Sequence, residues 1–147
     1  MTNVDDLAGD AAALDDFNSR VIEEFRANGG KVGGPFAGAD LLLLTTVGAK
    51  SGKPRTSPLV HFEIDGRLLI VGSYAGAPKS PAWVHNLRAH PEATVELGAD
   101  TFRVTTRELP RDERDRLYPV IAQRFPAFGE YQAKTTRVIP IFELTRG

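Results

Sequence analysis

The stretch ADLLLLTTVGAKSGKPRTSPLVHFEIDGRLLIVGS, residues 39–73, decides the fold. Its opening, ADLLLLTTV at 39–47, is a compact apolar run of strand length and reads as a buried strand. TSPLVHFEI at 56–64, with its β-branched and aromatic residues, reads as a second. Asp65 and Gly66 suit a tight hairpin turn, because both accept positive φ, and they lead into RLLIVGS at 67–73. The result is a meander of three strands. The loop between the first two, GAKSGKP at 48–54, carries Lys50 and Lys53, with Arg55 just beyond and no acid nearby.

Upstream, Leu14, Phe17, Val21, Ile22 and Phe25 fall at helical spacing with Asp15, Asp16, Glu23 and Glu24 between them, which predicts an amphipathic helix. Its acidic polar face disfavours docking on anionic lipid and favours packing on the body of the domain. NGGKVGGPFAG then forms a glycine-rich connector. Downstream, PAWVHNLRAH at 81–90 predicts a short helix with Pro81 in its first turn and Pro91 closing it. ATVEL, the turn GAD and TFRVTTREL form another hairpin. PRDERDRLYPVIAQRF is helical in its charge pattern, with a start or kink expected at Pro119, and TRVIPIFEL at 136–144 is a closing strand. About six strands with few, short helices make a mainly β protein with helices (α+β), an antiparallel barrel-like domain. The expected division is residues 1–39, helix and connector, and residues 40–147, the barrel.

At 147 residues, 41% hydrophobic and 25% charged, the composition is that of one ordinary globular domain. No apolar run approaches the roughly 20 residues of a membrane span. With no cysteine there is neither a disulfide framework nor a thiolate site, and the acidic start lacks the pattern of a signal peptide, so a cytoplasmic location is the default expectation. The net charge of −1 hides an asymmetry: residues 1–40 hold eight acids and three bases, whereas residues 41–91 hold two acids and six bases. So local an excess points to a small anionic ligand and away from nucleic acid, whose binders carry a domain-wide basic excess.

Familiar catalytic motifs are missing. GAKSGKP is not a phosphate loop, since Val47 and Pro54 stand where that pattern needs glycine and Ser or Thr, and no G-x-G-x-x-G follows a strand. His61, His85 and His90 match no zinc spacing, so no metal site is read. Ser73 in VGSYAG is no nucleophile elbow. GSYAGAPKSPAWVHNLRAHP at 72–91 is more informative: a small-residue loop, Lys79, then a proline-started helix whose first turn carries the only tryptophan, Trp83. Glycines let backbone N–H groups approach a ligand, and a helix start favours anions. With Lys50 and Arg55 this makes a groove for several negative charges beside a flat wall. A solvated turn accounts for the lysines equally well, and a core anchor accounts for Trp83 at least as well.

Three segments taken together, TTVGAKSGKPRTSPL at 45–59, VGSYAGAPKSPAWVHNLRAHP at 71–91 and FGEYQAKTTRVIPIFEL at 128–144, resemble the deazaflavin-dependent nitroreductases of actinobacteria, quinone reductases that use reduced coenzyme F420. The resemblance runs from about Asp40 to Leu144 in matching order. It implies a split β-barrel related to the FMN-binding pyridoxamine phosphate oxidases, with coenzyme F420, a deazaflavin bearing a phosphodiester and a glutamate tail, as the cofactor. By motif match, Lys50, Ser51, Arg55 and Thr56 grip those anions and Ala49 belongs to the same turn. Ser57, Pro58, Leu59 and Val60 run along the deazaflavin. Val71, Gly72, Ser73 and Tyr74 match the strand end and loop beside the ring, and Ala82, Trp83, Val84, His85 and Asn86 match the helix start beyond. Lys79 adds charge between them, and Phe128 lines the pocket.

The implied activity is hydride transfer to a quinone-like acceptor, with nitroaromatics as adventitious substrates. The cofactor supplies the hydride, so the protein needs chiefly to orient it and to meet charge growing on the acceptor oxygen; Ser73 and Tyr131 are the hydroxyl candidates. The chain departs from some nitroreducing members, which have tyrosines where it has Phe125 and Phe128 and a tryptophan where it has Lys134. Its acidic N-terminal helix also differs from apolar starts in the family. Both monomer and homodimer stay open. A different class of function also stays open, a module that binds the deazaflavin or a lipid-like ligand without turnover. An FMN or haem-degrading enzyme on the same fold suits the anion-rich groove less well.

Overall fold

The computed structural model describes residues 11–31, 40–77 and 80–146. Helix α1 spans Ala11–Ala27 and is followed by β1 (Leu41–Val47), β2 (Pro54–Ile64) and β3 (Arg67–Val71). A 3-10 turn, Tyr74–Gly76, precedes α2 (Ala82–Ala89), β4 (Glu92–Leu97) and β5 (Asp100–Glu108). Then come α3 (Arg111–Arg124), α4 (Ala127–Ala133) and β6 (Ile141–Arg146). The connector expected around 32–39 lies outside the described residues.

The six strands close into an antiparallel barrel in the order β1-β2-β3-β6-β5-β4, with β4 returning to pair β1. Asp65 and Gly66, at φ 54° and 74°, make the expected tight turn between β2 and β3. The run Leu41–Leu44 is unbroken because both faces of β1 are covered. Leu42 and Leu44 enter the barrel interior with Ile70, Val95, Val104 and Phe142, and Trp83, Val84 and Leu87 of α2 join this interior cluster. Leu41 and Leu43 face outward onto Val21 and Phe25 of α1. A separate outer cluster joins Phe62, Leu69, Val71 and Ile141 of the sheet to Tyr118 and Ile121 of α3 and Phe128 of α4.

Three local expectations are corrected. Pro119 does not start a helix: α3 begins at Arg111 and runs through Pro119, which stands on its exposed face. The third strand stops at Val71: Gly72 N–H still donates at 2.9 Å to the carbonyl of Pro140, the next residue in register, but Pro140 has no N–H to return. The closing strand begins at Ile141 rather than Thr136, because Pro140 has no N–H to give and Arg137 is engaged elsewhere. Helix α4, only seven residues with a glycine inside, has no periodic signal that would reveal it in the sequence.

Candidate functional site

The basic loop between β1 and β2 is closed by its own backbone. Gly48 N–H donates to the Lys53 carbonyl at 2.8 Å, and Gly52 N–H, at φ 69°, donates to the Gly48 carbonyl at 2.9 Å. Ser51 Oγ accepts from Lys53 N–H at 3.2 Å. Lys50, Ser51, Lys53 and Arg55 all stand exposed, and so does Ala49. Most arginines of this chain find a carboxylate: Arg26 meets Glu96, Arg67 and Arg107 meet Glu113 and Glu143, and Arg88 meets Glu108. Among the described residues, no ion pair involves Lys50, Lys53 or Arg55. Lys50 and Lys53 on the hydrogen-bonded turn, with Arg55 at the start of β2, have no internal counter-charge among the described residues and are suited to an external anion.

Asn86 ties this loop to α2. Its Oδ1 accepts from Ala49 N–H at 2.9 Å and its Nδ2 donates to Thr46 Oγ1 at 3.0 Å, while the side chain is buried at 6% exposure. The helix thus brings the two sequence motifs side by side. Only its exposed face, with Ala82 and His85, is open to a ligand. Trp83 and Val84 are barrel core at 5% and 0% exposure, Trp83 meeting the Phe142 ring edge-on at 5.6 Å. Their side chains hold the site from behind and do not form its wall.

Strand β2 also divides its residues. Its register pairs Leu44 with Ser57 and Leu42 with Leu59, so Ser57 and Leu59 share the interior side. Thr56, Pro58 and Val60, paired with Thr45, Leu43 and Leu41, lie on the outer side, where Thr56 Oγ1 and Thr45 Oγ1 are 2.8 Å apart. Val60 packs against the outer cluster that holds Val71 and Phe128, with Tyr131 at its edge. Phe128 is surrounded edge-on by Phe62, Phe125 and Tyr131, at 5.3, 5.4 and 5.4 Å. Its carbonyl accepts the Tyr118 hydroxyl at 2.6 Å. Burial pushes that phenol up to about 12, against the opposing influence of the Arg114 guanidinium, so it remains a donor.

The loop after β3 lies beside this outer row. Ser73 is buried at 8% exposure, and Tyr74 is half-buried with a left-handed φ of 46°. One side chain that sequence reasoning missed, Arg137, gathers the loop. Its Nε donates to the Ala77 carbonyl at 2.9 Å, Nη1 to the Gly72 carbonyl at 3.1 Å and to Ser80 Oγ at 3.5 Å, and Nη2 to the Ser73 carbonyl at 2.7 Å. The only signal in the sequence was a lone arginine inside a presumed strand. Lys79 lies outside the described residues.

The model of the F420H(2)-dependent quinone reductases matches residues 19–146. The chain belongs to this family. It is 36% identical to an F420H(2)-dependent quinone reductase of Mycobacterium tuberculosis over 126 residues, covering 83% of this chain and 85% of the relative. A solved F420-H2 dependent reductase, FDR-A, is 40% identical, with a TM-score of 0.63 over 71% of this chain and 92% of the other. A structure described as a domain-swapped dimer is 36% identical, with a TM-score of 0.65 over 86% and 92%. The family's fold is the split barrel, as the resemblance implied, and the closed antiparallel barrel is what the strand pattern led to.

For a member of the F420H(2)-dependent quinone reductases, two features of this chain stand out. Gly76, at φ 78°, seats the 3-10 turn against α4: a Cβ there would lie 2.8 Å from the Tyr131 carbonyl oxygen and 3.1 Å from Lys134 Cβ. Gly76→Ala should therefore cost about 2 kcal/mol from the left-handed backbone and the clash, visible as a melting point lower by several degrees. An unchanged melting point would mean that the turn does not seat there. Separately, a cavity of about 860 Å³ opens between Lys31, Leu41, His61, Leu97 and Phe125, sharing only Val60 with the motif-matched residues. Burial holds the His61 imidazole below the ordinary histidine value, and its Nδ1 has no hydrogen-bond partner.

Proposed function

We propose that this chain passes a hydride from reduced coenzyme F420 to a quinone-like acceptor, with nitroaromatics as adventitious acceptors. The observation that carries the reading is the set of cations outside every ion pair among the described residues, Lys50 and Lys53 on a turn fastened by Asn86 and Arg55 at the start of β2. A phosphodiester followed by glutamates fits that donor set. The bound cofactor supplies a two-electron hydride donor. The protein's work is to grip the anionic tail with Lys50, Ser51 and Arg55, and to seat the ring along Thr56, Pro58, Val60 and Val71. The loop Gly72–Tyr74 then borders the ring, and Ala82 and His85 flank the entrance from α2. Trp83, Val84 and Asn86 support this seat from behind. Helix α1 packs on β1 as an addition to the barrel, and a cytoplasmic location goes with the proposal. Among the described residues, no helix is long and apolar enough to cross a membrane.

The test is to titrate the purified protein with oxidised coenzyme F420 and with FMN, then to follow reoxidation of the reduced deazaflavin by menadione. Tight F420 binding with menadione turnover supports the proposal; binding without turnover would make the chain a carrier, and preference for FMN would sink the reading. Hydroxyls near the acceptor matter because its oxygen gains charge as hydride arrives. Tyr131→Phe should lower menadione kcat several-fold and leave F420 affinity unchanged, as expected for a contact made chiefly in the transition state. Full kcat in Tyr131→Phe, with loss only in Tyr131→Ala, would reduce Tyr131 to a packing group.

A further inference from the structure

We propose that Arg137 is the positioning residue of the ring site: its guanidinium fork shapes the loop from Gly72 to Ala77 into the form that meets the deazaflavin. The inference rests on the F420 reading. Its geometric part stands on the fork alone.

Arg137 is held from both ends. Its own carbonyl accepts from Gln132 Nε2 at 2.8 Å, and its N–H meets Thr135 Oγ1 at 3.3 Å. Two residues on, Ile139 N–H donates to Gln132 Oε1 at 3.1 Å and the Ile139 carbonyl accepts from buried Arg114 Nε at 2.8 Å. Arg114 also donates to Gln132 Oε1 and lies over the Tyr118 ring at 4.4 Å. Helices α3 and α4 therefore fix the backbone from which the fork reaches. At its other end the fork binds three carbonyls of one loop, those of Gly72, Ser73 and Ala77.

No ion pair among the described residues includes Arg137. Burial holds its guanidinium below the ordinary arginine value, against the opposing influence of the Tyr118 phenol. A half-buried cation that spends its donors on carbonyls instead of a carboxylate is suited to shaping backbone. Because a trans peptide sets each C=O opposite the next N–H, drawing the Gly72 and Ser73 carbonyls toward Arg137 turns the N–H groups of Ser73 and Tyr74 the other way. The left-handed Tyr74 is a conformation that an aromatic residue keeps only when its surroundings impose it. The fork on Ser73 and the turn bond from Gly76 N–H to the Ser73 carbonyl, 2.9 Å, impose it here. A lysine would keep the charge and lose the planar fork.

The experiment compares wild type, Arg137→Lys and Arg137→Ala by hydrogen–deuterium exchange without ligand and by fluorescence titration with a tail-less deazaflavin riboside and with full-length coenzyme F420. In Arg137→Lys the peptide covering the loop should exchange about tenfold faster while the barrel strands keep their protection. Affinity for the tail-less ring should fall about tenfold, and millimolar guanidinium should restore it in part to Arg137→Ala. Arg137→Lys with wild-type loop exchange and ring affinity would overturn the proposal. So would loss of protection in strands and loop alike, which makes Arg137 a general stabiliser. Wild type that binds neither deazaflavin would sink the F420 reading instead, and loop exchange would then decide the role of Arg137 alone.

Discussion

Replacing Lys50 and Arg55 together by alanine is expected to weaken coenzyme F420 binding about a hundredfold, with each single change costing about tenfold. Charge-assisted contacts to phosphate or carboxylate contribute about 1.5–3 kcal/mol each, and the low end applies because both side chains stand in solvent. Neither has an internal carboxylate to release, so binding an anion breaks no existing ion pair. The turn is already closed by the Gly48, Gly52 and Ser51 bonds, so little ordering cost falls on the ligand. Exposure also dictates the salt response: the Debye length shrinks from about 10 Å at 0.1 M to about 3 Å at 1 M, so wild-type affinity should fall as salt rises, and the double variant should respond less. Equal dissociation constants for wild type and both single variants at low salt would remove these residues from the site. A flat salt response in wild type would assign the affinity to the ring.

What the sequence made legible divides along physical lines. Local chemistry was readable: Asp65 and Gly66 dictate their turn, and four successive leucines require a strand covered on both sides. The pairing of β4 with β1 that closes the barrel joins distant residues and leaves no local trace. The path of α3 through Pro119 was hidden for a related reason, since tolerance of a proline depends on which face meets solvent. At the site, motif matching collected neighbours in sequence, whereas a strand sends alternate residues to opposite faces. Thr56, Pro58 and Val60 reach the outer row; Ser57 and Leu59 turn inward. Trp83 and Asn86 belong to the same motif as exposed His85, yet helical geometry makes one a core anchor and the other a bracket. Arg137 was illegible because its role depends on a loop some sixty residues away in the chain.

Asn86→Ala should be the most damaging single change at the site, lowering stability by about 3 kcal/mol and F420 affinity with it. The side chain is buried and both ends of its amide are used, so alanine strands the buried Thr46 hydroxyl and releases the N–H of exposed Ala49. Leaving a buried group unsatisfied costs about 1–3 kcal/mol, more than the bond itself contributes in net terms. The affinity loss follows from geometry, because the Ala49 N–H is the point where the basic turn is fastened to α2, and Lys50 is the next residue. A direct contact between Asn86 and the cofactor predicts an affinity loss too, so the single variant does not discriminate between the two roles. Thr46→Val does, since Thr46 is itself buried at 1% exposure and meets Asn86 away from the basic turn. If Asn86 acts as a bracket, Thr46→Val should reproduce part of both losses, and the double variant should fall short of the sum because the two residues share one bond. Full additivity of the stability losses, with Thr46→Val leaving F420 affinity intact, would instead make Asn86 a cofactor ligand in its own right.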